Sequence, residues 1–559
     1  MDRNSVLAFI LIAVVLILTP YYMNIVAPPP APQAADSTAV VPDTLLPGAK
    51  PSTANVPMTT TASPDSGEYP VGDSTAVTVD TPLYTAIISS RNGGSLQSYQ
   101  LHQYTMFDTL PVQLIIPRNR NNLLLQSLSI DGEYLVLDHH WTLVDEDSAL
   151  EVDTGTRELH FRTSVLGKPV TKTLRFHADS YVIDVEVDFT APASLLSENT
   201  FSISWKGGMP VTEKNPKDDL FYFRGYVYQA GEVHDPKIPR KGELNDQLTG
   251  KTNWVAVRSK YFGAALLPEQ AGVGARIEGA KTEDGTPVYS VTLVASAESP
   301  QKIALYLGPL EYKRIHAIDE GLDQIMTMGW SIIRPISRGI LALLTWSHKW
   351  IPNYGVILIL FAIAVKIIVY PLTKKSYQST KKMQQIQPML VKLKEKYKND
   401  PQKLNKATMN LYKEYGVNPL GGCLPLLLQM PLLIALFQVF RSTIELRGAP
   451  FVLWIKDLSA PDTLLHIGSF PLNILPIIMA ATMLLQQMMM PTTQAPGQQK
   501  QMTYIMNFVM LFIFYRFPSG LNLYYTLFNV LTIVQQKYLT PAEPAPVPVN
   551  SRGKSTRKK

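Results

Sequence analysis

The first side chain that could do chemistry here is Lys366. It stands inside Gly355 to Tyr370, GVILILFAIAVKIIVY, an apolar run of 16 residues, close to the ~17–25 that span a bilayer as a helix. An ammonium at that depth costs on the order of 2.5–3.5 kcal/mol on insertion scales, so such groups are kept where water or a partner reaches them. The chemistry offered is electrostatic: a fixed positive charge that draws acidic or polar groups into an apolar layer. The plainer alternative is snorkelling toward the nearer interface, since Lys374 lies ~12 Å further along a helix.

A second set of polar groups falls in the last apolar run. Asn522, Thr526 and Asn529 are spaced i, i+4 and i+7, with Tyr525 and Thr532 beside them, which draws a polar stripe down one helix face. Gln429 and Gln438, Gln486 and Gln487, and Asn507 could join it. Amides in membrane helices also serve as interhelical glue, worth ~0.6 kcal/mol per contact. For Lys366 taken with the Asn522 stripe, the reading is a wet groove. Methionines crowd the two preceding runs (Met479, Met483, Met488 to Met490, Met502, Met506, Met510). They either fill core or offer a surface adaptable to varied apolar partners.

Other chemistry finds little support. His139 and His140 are strand neighbours that point to opposite faces and do not share a metal easily. Asp145-Glu146-Asp147 reads as a solvated loop. Cys423 is the one cysteine, so no disulfide or thiolate cluster forms within the chain. No Ser/His/Asp spacing and no nucleotide motif stands out. The expectation is a protein without catalytic residues, metal or cofactor.

The elements that must position Lys366 come from hydropathy. Apolar runs fall at Val6 to Leu18, Gly355 to Tyr370, Leu424 to Phe440, Pro471 to Met490, Met502 to Phe517 and Leu521 to Val534, which predicts six membrane helices. Residues 4 to 365 hold 27 basic and 37 acidic side chains, whereas Lys374 to Glu414 hold 11 lysines against Glu395, Asp400 and Glu414. The lysine-rich segment is therefore expected in the cytoplasm. Four further crossings return the basic tail to the same side.

In order, residues 1–26 read as an uncleaved transmembrane anchor, and 27–82, rich in Pro, Ala, Ser and Thr, as a tether. Residues 83–311 alternate apolar and polar with period two, as in Ile183-Asp-Val-Glu-Val-Asp-Phe189, and predict a β-sandwich. Residues 312–350 read as interfacial amphipathic helices divided at Pro335, and 351–373 as the second membrane helix. Residues 374–416 read as a helical hairpin with Met383, Ile386, Met389, Leu390, Leu393 and Tyr397 on one face, turning at Asn399-Asp400-Pro401. Helices three to six fill 417–538, and 539–559 is a basic tail.

Asn418-Pro-Leu-Gly-Gly-Cys-Leu-Pro425, Gln429-Met-Pro431, Ala449-Pro-Phe451 with Trp454-Ile-Lys-Asp-Leu458, and Phe517-Pro-Ser-Gly520 resemble the YidC membrane-protein insertases over about Gly329 to Gln536. Tyr306-Leu-Gly-Pro309 and Trp254-Val-Ala256 match more loosely. The resemblance implies a five-helix insertase core plus an N-terminal anchor helix, carrying a large periplasmic all-β sandwich, in the bacterial inner membrane. It implies a substrate-handling groove at Lys366, Gln429, Asn507, Asn522, Tyr525, Thr526 and Asn529, with the third and fifth membrane helices as a greasy slide. Lys374, Lys375, Lys381, Lys382, Lys392 and Lys394 would recruit clients or ribosomes. The implied partners are nascent membrane proteins, the Sec translocon, the ribosome and signal recognition particle pathway, and membrane lipids.

Two positions depart from the family pattern. Lys366 stands where the family usually carries arginine, which keeps the charge and loses the planar fork. Ala362 occupies a place often polar. Two rival classes stay open: a small-solute transporter, although no internal repeat is visible, and a membrane-anchored sugar-binding protein, because the family's exported domain resembles carbohydrate-active β-sandwiches.

Overall fold

The structure is a computed structural model that describes residues 72–106, 110–318, 321–417, 424–468, 470–489 and 496–539. The expected anchor 1–26, most of the tether and residues 540–559 lie outside the described residues. So does the motif stretch 418–423 with Cys423.

Alternation builds the first half of the chain into strands. Val182–Asp188 buries Ile183, Val185 and Val187 and leaves the acids between them half-exposed. It pairs antiparallel with Lys168–His177 in the register Lys172↔Val187 and Phe176↔Ile183, joined by the expected turn at Ala178 to Ser180. Fourteen strands form one sheet and five another. The first strand, Ala76–Asp80, lies inside the stretch assigned to the tether. Its five residues alternate exposed and buried, a signal too short to outweigh the Pro-rich composition before it.

The core of this domain is aromatic. Trp141, Trp205 and Trp254 are fully buried, and Tyr84 stacks on Tyr99 at 4.4 Å between ring centres. Each large side chain removed from water contributes ~1.5–3 kcal/mol. Gly93 has φ +64° and no room for a side chain, since a Cβ would sit 2.7 Å from the Trp141 ring. The buried face of Lys168–His177 includes Lys172, a charge where the pattern asks for an apolar residue. Its Nζ donates to Asn92 O at 2.9 Å and Leu123 O at 2.8 Å. Burial pulls this ammonium down to about 7.

Helices take over after one short turn within the β-domain, α1 (Pro216–Leu220). α2 (Tyr312–Ile318) leaves the last strand, and α3 (Ile333–His348) follows. Pro335 does not divide α3. It sits in the first turn, where the missing N–H has no intrahelical partner to lose. α3 buries Ile333, Ile340, Leu341 and Leu344, while Leu343 and Trp346 stay exposed.

α4 (Tyr354–Lys396) is one helix of 43 residues, so the second membrane helix and the first arm of the hairpin are continuous. Pro371 and Pro388 lie inside it. Each removes one backbone bond, but the strong helix formers around them carry the helix through. At its start Asn353 accepts from Val356 N. After the turn, Asp400 accepts from Lys403 N and Pro401 opens α5 (Pro401–Glu414). Met383, Ile386, Leu390 and Val417 pack with Leu411, Tyr412 and Tyr415, closing the hairpin on the face that the periodicity marks.

α6 (Leu424–Ser442), α7 (Leu475–Met489), α8 (Pro496–Phe514) and α9 (Ser519–Val534) complete the described helices. α9 packs on both α4 and α7. Among the described residues, Tyr354–Pro371 is long and apolar enough to cross a membrane, and Leu475–Met489 and Tyr504–Phe514 are shorter apolar stretches. The run expected to be helical from Pro471 begins instead as a β-hairpin, Thr463–Ile467 with Phe470–Asn473, and turns helical at Leu475. Gly468, with φ +61°, supplies the reversal.

Candidate functional site

Lys366 lies twelve residues into α4 and is 8% exposed. Its Nζ donates to Thr532 Oγ1 of α9 at 2.7 Å and sits 4.3 Å from the centre of the Phe528 ring. Thr532 spends its own proton on Phe528 O at 2.7 Å, so a lone pair is left for the lysine. Phe528 and Thr532 are four apart and lie one above the other on the helix. Among the described residues no carboxylate pairs with Lys366. An ammonium has three donors, and the protein fills one of them with a hydroxyl.

The rest of the polar stripe divides between neighbours. Asn522 is fully buried, its Nδ2 donating to Phe514 O at the end of α8 at 3.2 Å. Thr526 Oγ1 donates back to Asn522 O. Asn529 Nδ2 turns to α7, toward Thr482 Oγ1 at 3.3 Å and Met479 O at 3.5 Å. Tyr525 packs edge-on against Phe514 and Tyr524. At ~100° per residue, Thr532 lies ~60° round the helix from Asn529. That offset sends Thr532 to α4 and Asn529 to α7, so the two ends of the stripe face different helices.

Asn507, buried on α8, donates to Gln487 Oε1 of α7 at 2.6 Å, and Gln429 is half-buried on α6. Neither is joined to Lys366 by a hydrogen bond. Below Lys366, Gln535 Nε2 donates to Thr373 Oγ1 at 3.0 Å, linking α9 to α4 a second time. Sequence reading passed over Phe528, Thr373 and Gln535. The signal available was the Phe528/Thr532 spacing, which puts a ring and a hydroxyl on one face. Three buried oxygens of α9 have no hydrogen-bond partner among the described residues: Asn522 Oδ1, Tyr524 Oη and Tyr525 Oη.

The lysines of the hairpin are spread along α4. Lys374, Lys381, Lys382 and Lys394 are half-buried and Lys392 is exposed. The side chain of Lys375 lies outside the described residues.

α6 is fastened to the β-domain by charge. Asp218 of α1 accepts from Lys260 Nζ at 2.7 Å and from Arg441 of α6 at 2.8 Å. Burial alone would raise this carboxyl, but Lys260 and Arg441 outweigh it and hold it below its ordinary value. Arg441 also lies against the rings of Phe221, Tyr222 and Phe437. Arg447 meets Glu213 at 2.8 Å. Burial pushes Glu445, beside Tyr312 N, up to about 7.

A large β-domain joined by ion pairs to apolar helices, one of them long and apolar enough to cross a bilayer, is the architecture of an integral membrane protein. Two family models match the chain: the YidC periplasmic domain over residues 76–341 and the 60Kd inner membrane protein over residues 346–544. A membrane protein insertase YidC of Chlorobaculum parvum is 37% identical over 567 residues, covering 96% of this chain and 94% of the relative. That of Prosthecochloris aestuarii is 35% identical over 593 residues, covering 100% of both. A solved crystal structure of an active YidC insertase with its first transmembrane domain is 19% identical, with a TM-score of 0.36, over 84% of this chain and 95% of that one. The chain belongs to the YidC family of membrane protein insertases.

Proposed function

We propose that this chain inserts membrane proteins by lowering the barrier to a short polar segment of the client while the client's apolar segment passes sideways into lipid. The observation that carries this reading is the coordination of Lys366, one hydroxyl and one ring face around three donors. Its remaining donors are available to water or to an acidic client residue, and in a layer of low dielectric that attraction is strong. The three unpartnered oxygens of α9 support the same reading, because a buried polar group left unmet costs ~1–3 kcal/mol and water or a client's polar groups would meet it.

In this reading α4, α6, α7, α8 and α9 are the five-helix core, residues 1–26 add an anchor, and α6 with α8 receive the client's apolar segment. Gln429, Asn507, Asn522, Tyr525, Thr526 and Asn529 line or brace the groove. The β-domain is periplasmic. The lysines of α4 face the cytoplasm, where they meet clients, ribosomes or anionic lipid, and the Sec translocon and the signal recognition particle pathway deliver some of the clients.

Reconstituted vesicles and a single-spanning client with an acidic leader test the proposal. Lys366→Arg is expected to insert that client normally. Lys366→Ala is expected to lose about tenfold in rate, the equivalent of ~1.4 kcal/mol. Full activity of the alanine variant would remove the charge from the mechanism.

A further inference from the structure

The hairpin between α6 and α7 is not explained by insertion. Thr463 to Asn473 contains no acidic residue, lysine or arginine, and Leu464, Leu465, Ile467 and Phe470 are 49%, 45%, 62% and 56% exposed. Leu465, Ile467, Phe470 and Leu472 pair across the hairpin and share one face, His466 and Pro471 share the other, and Leu464 is the extra residue of a bulge. The first face is apolar throughout, and Leu465, Ile467 and Phe470 on it stay exposed.

The base of the hairpin is rigid. Asp462 accepts from Leu475 N at 2.7 Å, Ile474 N at 3.0 Å and Trp454 Nε1 at 3.0 Å. Thr463 Oγ1 donates to Asn473 Oδ1 at 2.7 Å, and Asn473 Nδ2 to Tyr515 O at 2.6 Å. Tyr515, the first residue past α8, donates its hydroxyl to Pro471 O at 2.6 Å, and its ring stacks on Phe470 at 5.3 Å. The hairpin is thus tied to the start of α7 and the end of α8, where two apolar helices stop.

We propose that the hairpin is an anchor seated in the headgroup–acyl boundary of the leaflet on the β-domain side. Two physical limits select that depth. Two-stranded edges carry unpaired N–H and C=O groups that hydrocarbon does not tolerate, and an exposed apolar face does not favour water. The boundary satisfies both, as it does for interfacial helices. The occupant is lipid because the tether sets the hairpin at the level of the helix ends, continuous with the apolar surface that α7 and α8 offer the bilayer. The anchor fixes the height and tilt of those helices. It rests on the membrane placement of α7 and α8 and not on the chemistry of Lys366.

Depth is measured directly with nitroxide labels on full-length protein in phospholipid vesicles at low protein-to-lipid ratio. Cys423→Ser removes the native thiol, and Ile467→Cys, Leu465→Cys and, as an aqueous reference on the β-domain, Ile130→Cys are labelled one at a time. Both hairpin labels are expected to collide more with oxygen than with a water-soluble nickel chelate, at a depth of about 5–10 Å below the headgroups. The Ile130 label is expected to show the reverse. Nickel collision at Ile467 equal to that at Ile130 overturns the proposal. So does protection from both reagents, which would mean that protein covers the hairpin. Insertion activity does not enter the readout, so failure here and failure of the insertase mechanism are told apart.

Discussion

Lys172 in the β-domain and Lys366 in α4 are both buried ammonium groups without a carboxylate, and they are held by different kinds of acceptor. Lys172 donates to two backbone carbonyls at Asn92 and Leu123, residues whose positive φ values turn the chain there. Those dipoles are fixed by the packing around Trp141 and leave the ammonium fully enclosed. Lys366 has one side-chain hydroxyl and an aromatic face. The first arrangement fills two of three donors with fixed carbonyls and closes two turns; the second fills one donor with a hydroxyl. Burial alone therefore does not mark a functional lysine; on the proposed reading it is the sparser coordination of Lys366 that sets it apart.

Lys260 supplies the reference state for that contrast, a buried lysine with its carboxylate. Asp218→Ala leaves Lys260 and Arg441 without their shared partner, and the loss expected from urea unfolding is about 3 kcal/mol. A loss below about 1 kcal/mol would mean that the clamp is solvated and the contrast with Lys172 weak. Lys172→Met keeps the volume and strips two buried carbonyls of their donor, with an expected cost of about 2 kcal/mol. A stabilised variant would show that desolvation of the charge outweighs the closing of the turns.

The same lysine gives the β-domain a pH dependence of known sign. Its folded value is about 7 against 10.5 for a lysine in water, so between those limits the unfolded chain binds the extra proton and stability rises with pH. The slope is at most about 1.4 kcal/mol per unit. It is expected to flatten below pH 7, where both states are protonated, and to vanish in Lys172→Met. Smallest is Thr532→Val, which takes away the one hydroxyl that holds Lys366. A fivefold slower single-turnover insertion of an acidic client, ~1 kcal/mol, is expected with the unfolding midpoint unchanged. Equal loss in stability and rate would make Thr532 a structural residue and blur the distinction.

Much of this was legible beforehand for reasons that can be named. The alternation in Val182–Asp188 and the three-and-four spacing of Met383, Ile386 and Leu390 survive because each repeats one period long enough to decide a face. Lys366 was legible because a charge in an apolar run must reach water or a partner, by snorkelling or in a groove. The partners of Lys366 were not. Whether Thr532 or Asn529 faces α4 depends on how α9 is rotated between α4 and α7, and one strand of sequence does not carry that angle. The division between residues 351–373 and 374–416 does not break the helix, because the cost of one lost bond at Pro371 is smaller than the helix propensity on either side. Lys172 was hidden for the opposite reason: its position on the strand was readable, but the carbonyls that meet it come from turns 80 and 49 residues away.

The continuity of α4 gives the hairpin mechanical access to the interior of the bilayer. From Lys366 to Lys396 the helix runs ~45 Å at ~1.5 Å per residue, longer than the ~30 Å hydrocarbon layer itself. It is a rod with Lys366 near its fulcrum. A sideways displacement of ~5 Å at the far end corresponds to a tilt of ~6° at the lysine. Pro371, five residues beyond Lys366, leaves the carbonyl of Ile367 without its helical donor and makes a weak point in the rod beside the charge, as Pro388 does further out. Under the proposed function, force applied at the hairpin by a docked client would arrive as a bend beside the ammonium.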